Sequence, residues 1–262
     1  MANNKPKKTQ KFNPKIINKR DVFYTPLGAV DLISPFLPAG GKIFDPCCGI
    51  VPMIVNRLNQ KGFSAFGTDL AVDPFIDFFD IAEQRKYLLE NVGAVAVNPF
   101  FSGKNKIYKV LRYIWKIPFA MLIPTDDCAW TMNAVAKDDC RWVKPSDGRR
   151  INYITPNILD NIKFGELYIL VRKKYKGKYK SIVDFRQSVP RDSDQFLFYC
   201  DEFDFGDKHN YESFLDVPDK WLAKYSSSQF FSGWLTWGLN VPEKLTIVEF
   251  SVKQQKLMVG NQ

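Results

Sequence analysis

The chain has 262 residues, 45% of them apolar, and a formal charge of +9. That length and apolar content fill one sizeable core and exclude a fully disordered chain, and no apolar run reaches the roughly 18 residues of a membrane-spanning helix. An odd count of five cysteines without disulfide rhythm, together with a Lys-rich start that carries no apolar leader, predicts a reducing, cytoplasmic location.

Residues 1–20 hold seven Lys or Arg and no acid, and read as a flexible basic arm, either a solubilising tail or a set of phosphate contacts. Residues 21–26 are extended, because Pro26 biases Thr25 away from helix. A helix over 27–37 follows, with Ala29, Val30, Leu32 and Ile33 on its apolar face. A short strand at 42–44 opens into the loop Asp45-Pro-Cys-Cys-Gly49, then a helix at 50–61 that Gly62 stops, then a strand at 65–68 ending at Asp69. Strand, turn, helix and strand in that order is a βαβ unit. Residues 75–80 suggest a short third strand with Asp77 near its end, Asp80 being the alternative. A charged helix at 81–90 leads to a strand at 94–97 that opens into Asn98-Pro-Phe-Phe101. A helix at 106–116, a strand at 119–123 and a helix at 129–136 come next. Residues 140–150 read as irregular, 150–154 and 167–171 as an antiparallel strand pair, and 155–163 as a connection or short helix between them.

The basic run 172–180 reads as a solvated hairpin or loop, or as a nucleic-acid track in which Tyr175 and Tyr179 stack on bases. Beyond 181 the chain is rich in aromatics, with strands at 234–239 and 245–250. It reads either as a small second lobe or as elements packed on the first domain. The expected organisation is a basic arm (1–20), an α/β domain (21–180) with a mainly parallel sheet and a C-terminal antiparallel hairpin, and an aromatic-rich extension (181–262).

Three strands that each deliver a polar residue to one edge suggest one shared site. Gly49 lacks the further glycines of a dinucleotide or P-loop fingerprint. Asp69 can accept two ribose hydroxyls, which suits an adenosine-like group without a pyrophosphate. The Asn98 side-chain oxygen and the Pro99 carbonyl can both accept from one amino group, and Phe101 can stack on the ring that carries it, as a base taken out of a duplex is held.

The ordered set Phe23-Tyr-Thr-Pro26, Asp45-Pro-Cys-Cys-Gly49, Asp69, Asp77-Phe78 and Asn98-Pro-Phe-Phe101 resembles the S-adenosylmethionine-dependent DNA adenine N6 methyltransferases of phage and bacterial type. The resemblance covers about residues 21–175 and implies a Rossmann-like fold in a cytoplasmic, or host-cytoplasmic, protein. It places Tyr24 and Thr25 at the methionine end of the cofactor, and Asp45, Cys47 and Gly49 around its backbone side. Asp69 would hold the ribose, and Asp77 the adenine amino group with Phe78 packed nearby. Asn98, Pro99 and Phe101 would hold the target base, and no metal is implied. DNA would be bound through the basic residues of 1–20 and 172–180, RNA being the less favoured substrate, and the C-terminal lobe would be open to a protein partner. Two departures stand out: Phe100 replaces a second proline, and Val51 and Pro52 replace small residues. They leave room for a catalytically degenerate, nucleic-acid-binding or structural subunit. Methylation of a protein glutamine, which uses a similar clamp, is a third reading that the basic runs disfavour.

Overall fold

The computed structural model describes residues 22–72, 74–88, 91–124, 128–146, 151–203, 217, 219–225 and 228–248. The basic arm at 1–20 lies outside them. The strands are β1 (Lys42–Asp45), β2 (Ala65–Gly67), β3 (Val92–Val97), β4 (Phe119–Pro124), β5 (Arg141–Pro145), β6 (Ile151–Tyr153), β7 (Ser228–Phe230), β8 (Ser232–Trp237) and β9 (Leu245–Val248). The helices are α1 (Leu27–Ile33), α2 (Met53–Gln60), α3 (Ile81–Leu88), α4 (Lys104–Lys109), α5 (Cys128–Lys137), α6 (Ile158–Lys174), α7 (Ile182–Ser188), α8 (Asp194–Glu202) and α9 (Asp219–Tyr225). A π-helical turn, Val110–Trp115, extends α4.

Seven strands form one sheet in the order β2-β1-β3-β4-β8-β5-β9, and β6 pairs with β7 in a separate ribbon. β2, β1, β3 and β4 are parallel. β8 runs antiparallel between β4 and β5, and β9 is parallel to β5. This is a mixed α/β domain with a largely parallel, Rossmann-like sheet.

Side chains of the central strands alternate between two buried layers, as the period of two in a doubly covered sheet requires. Ala94, Ala96, Ala120 and Leu122 face α1 and α2 through Ala29, Val30, Ile33, Ile54 and Leu58. Val95, Val97, Phe119, Met121 and Ile123 face α4 and α5 through Ile107, Leu111, Ala134 and Val135. The small residues of the first layer let α1 approach closely, and the Trp234 indole of β8 donates to the Ala29 carbonyl at 2.8 Å. Arg57 of α2 grips Asp31 of α1 through two bonds of 2.9 Å, a bidentate pair that fixes the two helices together.

Three expectations are corrected. Residues 75–80 form turns, not a strand. The outward N–H and C=O of Ala65 on the β2 edge are taken by the Asn59 amide, at 2.7 and 3.0 Å, so no further strand can pair there. Phe75 is also left-handed, with φ 58°, which interrupts an extended run.

Residues 167–171 belong to α6, so the hairpin expected from 150–154 and 167–171 does not form. Ile158, Ile162, Leu167, Tyr168 and Val171 are buried on that helix, and a five-residue apolar run alone does not reveal the longer helical period. The region read as irregular contains β5, whose Trp142 and Val143 pair with β8. Among the described residues beyond 181, Phe185 of α7, Val189 just after it and Tyr199 of α8 join a cluster with Phe164 and Leu167 of α6, whereas β8 and β9 enter the main sheet.

Candidate functional site at the strand tips

From β1 the chain passes through α2 to β2 on one side, then through α3 to β3 on the other side of β1. The connections therefore diverge between β1 and β3, and α/β sheets bind ligands in the crevice outside the carboxyl ends at such a switch point. Asp45 closes β1, Asp69 lies two residues beyond β2, and Asn98 directly follows β3. The parallel pairing brings all three to the same edge.

The first loop is built by continuing the β1–β2 ladder. Thr68 N–H donates to the Asp45 carbonyl at 3.0 Å and Cys48 N–H to the Thr68 carbonyl at 3.1 Å. Glycine is required at position 67, where a Cβ would lie 2.5 Å from the Cys48 Cβ and 2.9 Å from the Asp45 carbonyl oxygen. Gly49, with φ +71°, turns its N–H onto Asp69 Oδ2 at 2.9 Å. Asp69 Oδ1 accepts from Ala71 N–H at 2.9 Å. Each carboxylate oxygen keeps a second acceptor site, so a ribose diol can still be held there. The Tyr24 ring lies against Gly49, and its hydroxyl is pushed above the usual phenol range by burial and by the Asp69 charge. Two backbone bonds with Ile154, of 2.8 and 3.2 Å, hold Tyr24 in place, and Thr25 beside it is buried.

Asp45 is 2% exposed, and its Oδ1 accepts from Cys47 N–H at 3.1 Å. Burial holds its carboxyl well above the ordinary range, with the Asp69 charge adding to that and the Cys47 N–H partly offsetting it. Burial and then the Asp45 charge raise the Cys47 thiol, and the same causes push Cys48 up to about 12. Both thiols stay protonated at neutral pH and are poor nucleophiles.

Asp77 stands beside this loop in the 74–80 turn, where its Oδ1 accepts from Phe79 N–H at 2.9 Å. Phe78 is buried against Trp115 at 5.1 Å between centroids.

Asn98 carries the clearest chemical signal. Its Nδ2 donates to the Phe23 carbonyl at 2.9 Å, which fixes the orientation of the amide. Its Oδ1 is buried and has no hydrogen-bond partner, as is true of Thr68 Oγ1 after β2. A buried acceptor left unpaired costs about 1–3 kcal/mol, so a donor brought to this oxygen would be favoured. Pro99 is buried beside it. The ring expected to stack on a base, Phe101, stacks instead on Phe23 at 4.8 Å and 21°. Tyr153 and Phe230 meet it edge-on at 5.9 and 5.4 Å. The Phe23-Tyr-Thr-Pro26 motif does not reveal this cluster, and Tyr153 and Phe230 carry no motif, because the three rings converge from distant segments.

The basic run 172–180 is the last turn of α6 and the turn after it. Arg172, Lys173, Lys176 and Lys180 are exposed. Lys174 pairs with Glu202, and Lys178 donates to the Tyr199 hydroxyl at 3.0 Å. Tyr179 is buried against Phe185 at 5.0 Å, which removes it from the rings expected to stack on bases.

Among the described residues, no group of His, Cys, Asp or Glu could hold a metal ion. Among the same residues, no helix is long and apolar enough to cross a membrane. Comparison with protein-family models, with curated proteins and with solved structures finds no match.

Proposed function

We propose that the chain binds S-adenosylmethionine at the switch point and directs methyl transfer to the N6 amine of adenine in DNA. The observation that carries this reading is the oriented, unpartnered Asn98 Oδ1. An exocyclic amine offers the donor that this oxygen lacks. With the Pro99 carbonyl as second acceptor, the two N–H bonds would be held and the nitrogen lone pair turned outward for in-line attack. Asp69, through its remaining acceptor sites, would hold the ribose hydroxyls, Tyr24 and Thr25 would line the methionine end, and Asp45, Cys47 and Gly49 would form the wall of the cofactor site. Asp77 and Phe78 would receive the cofactor adenine. The bound cofactor would supply an electrophilic methyl group. The exposed cations of 172–180 and the basic charge of 1–20 suit a polyanionic substrate.

In a labelled-methyl assay on mixed DNA, Asn98→Ala is expected to lose at least about 100-fold in transfer, while calorimetry with S-adenosylmethionine shows near wild-type binding. Equal transfer by the variant would remove Asn98 from the reaction. One observation favours a second reading, a noncatalytic subunit on the same fold: both Asp69 oxygens already accept backbone N–H groups of the protein. That reading predicts nucleic-acid binding without cofactor binding.

A further inference from the structure

Phe100 occupies the place where the family pattern has its second proline. Its ring is 36% exposed and meets the 40% exposed ring of Phe79 edge to face, at 6.2 Å and 84°. The Phe100 ring lies across its own turn, where a Cβ on Gly103 would come within 2.0 Å of it. Gly103 N–H also closes that turn onto the Phe100 carbonyl at 3.0 Å. Asp77 Oδ1 fixes the backbone of Phe79. Two large, partly exposed rings thus meet beside the strand tips, and Phe100 is two residues from the buried Asn98 acceptor that has no donor. Ile50 and Phe75, on the loops after β1 and β2, are exposed as well. Exposed Lys106 and Lys109 follow on α4, the helix that begins after Phe100 and its turn. Phe101, by contrast, has one face covered by Phe23 and its edges by Tyr153 and Phe230.

We propose that Phe100 and Phe79 form the stacking platform for the target ring, a single-stranded or extruded purine base bearing an exocyclic amine, and that Phe101 is a structural ring. The proposal rests on the reading of Asn98 as an amine acceptor. Acceptor and platform together specify a planar heterocycle with an N–H donor at its edge, and the neighbouring ammonium groups specify a polyanionic strand. Because every base has a π-face, the platform contributes affinity and Asn98 contributes the choice of base.

The test compares binding of an end-labelled single-stranded oligo(dA) with binding of an abasic oligonucleotide of the same length, by fluorescence anisotropy. The wild type is expected to prefer oligo(dA) by about tenfold or more. Phe100→Ala and Phe79→Ala are expected to lose that preference with an unchanged melting temperature, and Phe100→Trp to keep it. Phe101→Ala is expected to lower the melting temperature. The proposal is overturned if the wild type does not discriminate, or if both alanine variants still do. A wild type that shows the base preference yet transfers no methyl group would instead overturn the catalytic reading and leave the platform standing.

Discussion

At the scale of single residues, the strand tips hold groups in states they would not adopt in water. Asn98 shows an oriented amide whose oxygen is unsatisfied, and Asp45 a carboxyl forced towards its neutral form by burial. The Asp45 shift makes stability depend on pH. Between the ordinary carboxylate pKa of about 4 and the raised native value, the folded chain binds more protons than the unfolded one. This contribution is therefore complete below the ordinary value and is lost as pH rises through the native one. Asp45→Asn keeps an acceptor for the Cys47 N–H and removes the titration. In urea unfolding from pH 4 to 7, the wild type should lose stability relative to the variant by up to about 1.4 kcal/mol per pH unit. Parallel curves for the two proteins would show that Asp45 ionises normally.

At the scale of elements, one side chain sets the width of the sheet. The Asn59 amide mimics a strand against the outer edge of β2, and the chain after Asp69 is left to form turns that present Phe75 and Phe79 to solvent. Asn59→Ala should lower the unfolding free energy by about 1 kcal/mol, a modest loss because water can replace exposed hydrogen bonds. Unchanged denaturation would mean that the edge is held in another way. β1 to β4 and the polar residues after β1, β2 and β3 were legible in the sequence, apart from the strand expected at 75–80, because buried parallel strands are short apolar runs and their ends need polar loops. β5 and α6 were not. Their apolar runs are too short to distinguish strand from helix, and what decides is pairing with β8 and packing against α7 and α8. The assignment of rings was hidden for a similar reason. Phe100 and Phe101 are adjacent in sequence, but Phe101 packs among Phe23, Tyr153 and Phe230 while Phe100 stays partly exposed.

At the scale of the whole molecule, the fold acts as a positioning device. Parallel strands deliver Asp45, Asp69 and Asn98 to one edge, and the connections reverse between β1 and β3, the place where α/β sheets generally form a ligand crevice. The β6–β7 ribbon closes the same edge through the Tyr24–Ile154 bridge, and a hydrogen bond of 3.1 Å from Tyr153 to Ser232 ties the ribbon to β8. The sheet thus carries the acceptor residues, while the ribbon and the loops carry the rings around them. The central claim is that this crevice holds a sulfonium nucleoside through Asp69, and calorimetric titration with S-adenosylmethionine tests it most directly. The account predicts saturable 1:1 binding by the wild type that is abolished in a folded Asp69→Ala variant. Absence of binding heat in the wild type, or binding undiminished in the variant, would contradict it.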